Sequence, residues 1–242
     1  MAPIRVTIWN EFVHEQTDES ILAMYPGGIH AHLARELASE DLIIRTAYLA
    51  QDDDHGLSQA VLDDTDVLMW WGHVAHEKVS DTVAARVVKR VQEGMGFIPM
   101  HSAHASKPFM WLMGTPCALQ WREANERAHV WTVAPYHPIT QGVPMQFTLD
   151  HEEMYGEVFQ IPTPDELIFI TWFQGGNVFR GGVTFTRGAG KIFYFHPGHE
   201  TLPSFRNENV LKVLKNAVRW ATPSPARDLK SNHNVAPIEQ LP

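Results

Sequence analysis

The chain has 242 residues, 44% of them hydrophobic, which is enough to bury the core of one α/β domain. A net charge of −9 without a basic run gives no electrostatic footprint for nucleic acid or an anionic membrane, and no apolar run approaches the roughly 18 residues that span a bilayer. The single cysteine excludes an internal disulfide framework and fits a reducing compartment, so we expect a cytoplasmic protein.

Apolar runs alternate with helical periodicity along the first half of the chain. The third run, residues 66–71, is almost continuously apolar, as expected of a strand covered on both faces. This alternation predicts a mostly parallel sheet with helices on both faces. The predicted strands are 3–10, 42–49, 66–71 and 95–100, and the predicted helices are 29–38, 79–94 and 107–113.

The second half changes character and predicts an added β-hairpin region. We interpret the whole of 1–222 as a single domain, and the Pro-, Ser- and Asn-rich residues 223–242 as a C-terminal extension. The predicted strands are 117–122, 128–133 and 167–172 with a hairpin of 178–185 and 191–195; residues 150–157 are predicted to be an acidic loop and 208–221 a closing helix.

Polar side chains collect where several predicted strands end. Since the carboxyl ends of neighbouring parallel strands converge in space, we expect these segments to build one pocket. Histidine suits proton transfer near neutral pH and zinc binding, and the chain has 14. The residues are Asn10, Glu11 and His14 after the first strand, His73 and His76 after the third, His101 and His104 after the fourth, and His199 and Glu200 after the last.

The turn after the fourth strand is the strongest candidate for a functional site. His101, Ser102 and His104 lie there among small residues that permit a tight turn. Amides at the start of the following helix favour negative charge. A capped helix with incidental polar residues is the alternative interpretation.

Other polar residues are interpreted as structural. Cys117 lacks a following turn-and-helix pattern, so we predict a small buried residue and not a nucleophile. The three aspartates at 52–54 are interpreted as a solvated loop in preference to a cation site. His129, His137 and His233 are predicted to be surface or structural histidines.

Several motifs in order resemble the ThuA-like (trehalose-utilization) family, and the resemblance extends to about Thr222. It implies a flavodoxin-like, class I glutamine amidotransferase-like fold and a carbohydrate-type substrate. The motifs are Trp9-Asn10-Glu11 with His14, Tyr25-Pro26-Gly27-Gly28-Ile29-His30, Trp70-Trp71-Gly72-His73, His101-Ser102-Ala103-His104, Leu112-Met113-Gly114-Thr115, Glu153-Met154-Tyr155-Gly156-Glu157, and Lys191-Ile192-Phe193-Tyr194-Phe195 with Pro197-Gly198-His199-Glu200.

The resemblance to amidotransferases also indicates an activity that the chain lacks, the hydrolysis of glutamine. Those enzymes carry a cysteine nucleophile in the turn after the fourth strand, where this chain has His101 or Ser102. Without a thiolate, glutamine hydrolysis through a thioester has no nucleophile. Ser102 with His104 or His199 as its base is a less favoured alternative, because no Gly-x-Ser-x-Gly pattern surrounds it.

Two functions remain open. The first is an enzyme that acts on a sugar or keto-sugar derivative by acid–base chemistry, such as isomerisation or hydrolysis, with or without the assistance of a zinc-like metal and with no nucleotide cofactor. The second is a non-catalytic sugar-binding or accessory protein with the same pocket. A homo-oligomer is also predicted. The predicted catalytic residues are His101, His104, Glu153 and Glu11; the substrate-binding residues are Asn10, His30, Trp71, Tyr155 and Glu200; the metal ligands are His14, His73, His101 and His199.

Burial supplies a structural check on this interpretation. We expect His101 and His104 to be reachable from a cleft, and Trp70, Trp71 or Trp172 to be available to stack on a sugar. The residues predicted to share one sheet core are Trp9, Val67, Leu68, Ile98 and Phe195.

Overall fold

The computed structural model describes residues 2–224 and 236–240, and its strands form one nine-stranded sheet. The strands are β1 Ile4–Asn10, β2 Leu42–Tyr48, β3 Val67–Trp71, β4 Gly96–Met100, β5 Gln120–Thr132, β6 Gln146–Gly156, β7 Glu166–Phe173, β8 Val178–Arg187 and β9 Gly190–Phe195. The order across the sheet is β2-β1-β3-β4-β9-β8-β7-β5-β6.

The helices begin and end at recognisable signals. Ser80 accepts a hydrogen bond from the backbone N–H of Val83 at the start of the helix Asp81–Gln92, and Asn207 accepts from the backbone N–H groups of Asn209 and Val210 at the start of the helix Glu208–Ala221. The predicted closing helix is confirmed, and its apolar residues, Val210, Val213, Leu214, Ala217, Val218 and Ala221, are buried. The helices are α1 His14–Thr17, α2 Glu19–Met24, α3 Ile29–Leu37, α4 Gln59–Asp63, α5 Asp81–Gln92, α6 Lys107–Met113 and α7 Glu208–Ala221, with short 3₁₀ turns at His76–Lys78, His101–Ala105, Pro138–Thr140 and Pro203–Arg206.

Five parallel strands, β2-β1-β3-β4-β9, form the predicted half of the sheet. Their last residues are in register: Asn10 is opposite Trp71, Trp71 opposite Met100, and Met100 opposite Phe195. The segments that follow these strands therefore leave the sheet at one edge. This is the edge where open α/β sheets bind ligands.

The prediction of a mostly parallel sheet is wrong, because the whole sheet is mixed. The strands β8, β7, β5 and β6 continue from β9 with antiparallel pairing. Antiparallel neighbours need only a short turn between them, whereas parallel neighbours need a crossover of a dozen or more residues. The second half of the chain has such short turns, so the predicted hairpin is part of a larger antiparallel region.

The predicted acidic loop at 150–157 is also wrong, since most of it belongs to β6. Its partner β5 is one strand where two were predicted, and their register shifts between Arg122, Glu126 and Ala128. Irregularities of this kind bend a strand and increase its twist. The bend lets the end of β6 reach the carboxyl ends of β4 and β9, where its polar residues are buried.

The core prediction is confirmed: Trp9, Val67, Leu68, Ile98 and Phe195 are at most 1% exposed and belong to one contiguous apolar cluster. No helix in the described part of the chain has the length and apolar character required to cross a membrane. His233, together with 225–235 and 241–242 of the predicted extension, lies outside the described residues.

Candidate functional site

A surface cleft of about 340 Å³ lies at the carboxyl edge of the parallel strands. A second cavity of about 280 Å³ adjoins it, and both are lined by Glu123 and Glu153. Glu153 therefore faces the space that a ligand would occupy. The cleft is lined further by residues that include His73, His76, Ser102, His104, Pro116, Leu119, Trp121 and Tyr155.

His101 occupies the turn after β4 in a strained backbone conformation. Its φ of 52° is in the left-handed region, which non-glycine residues seldom adopt and which clusters at functional sites. The Nδ1–H donates to the carbonyl of His196 at 2.9 Å, so Nε2 is the free ring nitrogen. The prediction that His101 is reachable from the cleft is wrong, because its side chain is fully buried.

His101 contacts Glu153, a residue that lines the cleft. Its Nε2 lies 3.0 Å from Oε2 of Glu153, within ion-pair distance although not aligned as a hydrogen bond. The Tyr155 ring stacks on His101 at 4.9 Å, and its hydroxyl lies 3.4 Å from the same Nε2. His101, Glu153 and Tyr155 thus come together as the sequence predicted; their roles stay a prediction.

Electrostatics favours the ionised form of this pair. Burial alone would lower the pKa of His101, but the adjacent Glu153 carboxylate raises it to about 9. Burial alone would raise the pKa of Glu153, but His101 and the nearby histidines lower it below its ordinary value. The pair is therefore an imidazolium and a carboxylate at neutral pH.

A second cluster of titratable side chains, His14, His73 and Glu200, lies beside the His101–Glu153 pair. His14 Nε2 and His73 Nδ1 are 2.9 Å apart, and Glu200 carboxylate oxygens lie 3.3 Å from His73 and 3.7 Å from His14. His199 connects the groups, since its Nδ1 is 3.7 Å from Glu200 and its Nε2 is 3.9 Å from Glu153. All four predicted metal ligands therefore lie in one chain of contacts.

Glu200 is ionised in this setting. Burial would raise its pKa, but His73 and His199 lower it to about 2. Its Oε2 is buried without a hydrogen-bond partner. Its surroundings are three histidines, which is an environment for a cation and not for the substrate contact that was predicted.

Glu11 does not face the cleft, although it was predicted to be catalytic. Its two carboxylate oxygens accept hydrogen bonds of 2.8–2.9 Å from the backbone N–H groups of His73, Val74 and Ala75. These bonds satisfy the carboxylate and hold the loop after β3. Glu11 is therefore a positioning residue for His73.

Three predicted substrate contacts are buried behind the site. Asn10 Nδ2 donates to Glu15 Oε1 at 2.7 Å and to His30 Nδ1 at 2.9 Å. Burial lowers the pKa of His30 to about 4, so that ring is neutral. The Trp71 indole N–H donates to the carbonyl of Gly198 at 2.9 Å. Because their polar atoms are already paired inside the protein, these residues support the site and do not line it.

His104 lines the cleft, as predicted. Its Nδ1–H donates to the carbonyl of Cys117 at 2.8 Å, and burial lowers its pKa to about 4, which leaves a neutral ring with a free Nε2. Ser102 donates its hydroxyl to the carbonyl of Gly72 at 2.7 Å, so the serine-nucleophile alternative lacks a paired base. Burial raises the pKa of Cys117 to about 11, in agreement with a non-nucleophilic residue.

Trp121 is an exposed aromatic residue that lines the cleft beside Tyr155, and it was not predicted from the sequence. It is 63% exposed and lies opposite Tyr155 in the β5–β6 pairing. The predicted stacking residues are elsewhere: Trp70 and Trp71 are buried, and Trp172 stacks on His129. The cross-strand position could have been found only by placing 150–157 in a strand.

Two buried residues were also missed. Glu152 accepts from the Ser204 hydroxyl at 2.6 Å and the Gly198 N–H at 3.1 Å, and burial raises its pKa. His196 donates from Nε2 to the carbonyl of Glu153 at 3.0 Å. Both tie β6 to the segment after β9, which fixes the position of Glu153.

With this geometry established, comparison with known proteins decides the family. A family model described as ThuA, trehalose utilisation, matches residues 5–221. The chain belongs to the ThuA family. Among curated proteins, none matches the chain significantly.

Solved structures agree on the fold. A ThuA-like protein from Bacteroides uniformis is 15% identical with a TM-score of 0.65, over 91% of this chain and 92% of that chain. A ThuA-like protein from Parabacteroides merdae is 13% identical with a TM-score of 0.63, over 90% of each chain. A glutamine amidotransferase from Thermotoga maritima is 10% identical with a TM-score of 0.52, over 91% of this chain and 99% of that chain.

We predict that the ring of His101 titrates with a pKa of about 9, measured from its ring-proton NMR shift. Because this value is above the ordinary 6.5, protonation of His101 contributes stability that is fully present below pH 6.5, while Glu153 is ionised, and is lost as pH rises through about 9. Glu153→Gln removes the carboxylate that raises the pKa of His101 and leaves the burial that lowers it. The pKa of His101 should therefore fall below 6.5 in this variant. An unchanged pKa in that variant would contradict the pairing.

Proposed function

We propose that this ThuA-family protein is an enzyme that acts on a sugar or keto-sugar derivative by acid–base chemistry, with Glu153 as the general base. The observation that carries the proposal is a buried imidazolium–carboxylate pair whose carboxylate lines a surface cleft. Perturbed titratable groups in a cleft are typical of catalytic sites. Salt bridges that only stabilise a fold have no need of a cavity beside them.

The arrangement suits removal of a proton from a carbon next to a carbonyl, or activation of a water for hydrolysis. Glu153 would accept that proton, and the His101 imidazolium behind it would hold the carboxylate ionised and in place. Burial keeps the pKa of Tyr155 well above its ordinary value, so its hydroxyl is a proton donor toward substrate oxygens. Neutral His104 offers Nε2 as an acceptor for a substrate hydroxyl.

The lining of the cleft supports a carbohydrate as the substrate class. Sugar rings present apolar C–H faces and a rim of hydroxyl groups. The cleft has an aromatic and apolar wall at Trp121, Leu119 and Pro116, and polar groups at Glu123 and the histidines. The family description, trehalose utilisation, points to the same class.

The proposal also includes a metal ion and a cellular compartment. A zinc-like divalent metal held by the histidine cluster would polarise a substrate carbonyl or hydroxyl. We also propose that the protein works in the cytoplasm, for which its single cysteine is the support.

The test begins with a thermal-shift screen of sugars, disaccharides and their keto forms, followed by a turnover assay of each hit. Glu153→Gln should reduce turnover by about 10²–10⁴-fold, because one acid or base typically contributes that much. Asp150→Asn is the matched control, since this exposed carboxylate lies on the same strand and does not line the cleft. The control should retain wild-type turnover.

Two results would contradict the proposed enzymatic function. The first is a ligand that binds tightly, is never converted by the wild type, and binds only more weakly to Glu153→Gln; that outcome would establish the sugar-binding alternative. The second is equal turnover in Glu153→Gln and Asp150→Asn, which would remove Glu153 from the chemistry.

Trp121 provides a separate prediction about substrate binding. Trp121→Ala should raise KM about two- to tenfold and leave kcat unchanged, because stacking contributes about 0.5–1.5 kcal/mol and about 1.4 kcal/mol corresponds to tenfold. Trp131→Ala is the control, since Trp131 is also half-exposed on β5 but does not line the cleft. Equal KM values in the two variants would exclude Trp121 from substrate binding.

A further inference from the structure

The spacing of His14, His73 and Glu200 fits a tetrahedral metal centre. Two ligand atoms each about 2.0–2.1 Å from a tetrahedral zinc are roughly 3.3–3.4 Å apart. The observed separations are 2.9 Å between His14 Nε2 and His73 Nδ1, 3.3 Å from His73 Nδ1 to Glu200 Oε2, and 3.7 Å from His14 Nε2 to the other carboxylate oxygen, Oε1. With one donor atom taken from each residue, the three atoms lie within 4.8 Å of one another, so small side-chain rotations would place all three on one ion.

An unpartnered atom points to a cation in the same place. The Glu200 side chain is only 4% exposed, and its Oε2 atom is buried without a hydrogen-bond partner. A buried carboxylate oxygen without a donor is costly, and such groups in native proteins indicate a bound ion or water. His14, His73 and His199 surround this carboxylate, and imidazole nitrogens are common ligands of transition metals, so a metal ion suits the position better than a water.

The neighbouring group around Glu153 fits a metal less well. The His199 Nδ1 accepts the backbone N–H of Thr201 at 3.3 Å, so its ring proton lies on Nε2, the atom that faces Glu153. A protonated nitrogen has no lone pair for a metal. The His101 Nε2 is occupied by its ion pair with Glu153.

We infer that His14, His73 and Glu200 bind one divalent transition metal, zinc-like in its preferences, with an open fourth position on the cleft side. Two imidazoles and one carboxylate are a donor set of catalytic zinc sites. This assignment replaces the predicted four-histidine set, with Glu200 as a ligand and His101 and His199 outside the coordination sphere. Metal binding is independent of the proposed function; a part for the metal in turnover rests on it.

The fold holds these ligands in place before a metal arrives. Glu11 fixes the loop that carries His73 through three backbone hydrogen bonds. Each imidazole is about one-fifth to one-quarter exposed, so its outer nitrogen can be hydrated and the ion can enter from solvent. The site is thus rigid on one side and accessible on the other, as a catalytic metal site requires.

The experiment uses the full-length chain without a His tag, stripped of metal and titrated with Zn²⁺ by calorimetry and with Co²⁺ by visible absorption. We expect one tight equivalent and the absorption of tetrahedral Co²⁺. His14→Gln and His73→Gln should weaken binding about 100-fold or more, since even residues that only support a ligand contribute 10–100-fold. His73→Cys should retain the ion and add a thiolate-to-cobalt charge-transfer band, which shows that a folded variant still coordinates at this position.

Controls separate this site from the proposed chemistry. His129→Gln, a β5 residue that does not line the cleft, and Glu153→Gln should both bind metal as the wild type does. Equal binding by wild type and His14→Gln, or loss of the ion in His101→Gln but not in His14→Gln, would overturn the assignment. Loss of turnover in Glu153→Gln with no metal in the wild type would overturn the metal site alone.

Discussion

The buried contact between His101 and Glu153 is the interaction on which the site depends. Either charge alone would be expensive in this position, and each makes the other's ionised form favourable. The contact requires a strained turn at the end of β4 and a bent β6 that crosses from the far edge of the sheet. The parallel half of the fold supplies the histidine, and the antiparallel half supplies the carboxylate that faces the cleft.

Around this pair, the first half of the chain supplies buried polar residues that hold the site in place without lining the cleft. Glu11 satisfies the amides of the loop that carries His73, while Asn10 and Trp71 bond to other buried groups. These residues follow the strand ends as closely as the cleft residues do. What distinguishes them is that their polar atoms are already paired inside the protein.

Much of this arrangement could be predicted from the sequence, because the period of apolar residues locates parallel strands and their polar ends must share an edge. The grouping of His14, His73, His101 and His199 follows from that rule. The mixed sheet and the bent β6 could not be predicted, since Asp150 to Glu157 has the composition of a solvated loop and strand pairing depends on distant partners. Trp121 and Glu152 were missed for the same reason. The ionisation and tautomers that separate a metal ligand from a proton carrier depend on contacts that no sequence pattern records.

The most direct test of the central claim is an infrared measurement of Glu153 itself. The difference spectrum between wild type and Glu153→Gln, with labelled glutamate, reports whether this buried side chain is a carboxylate or a carboxylic acid at neutral pH. The account predicts the carboxylate band, which should persist below the ordinary glutamate pKa of 4.5 because His101 lowers the pKa of Glu153. A carboxylic-acid band at neutral pH would contradict it, since a protonated Glu153 could not serve as the base.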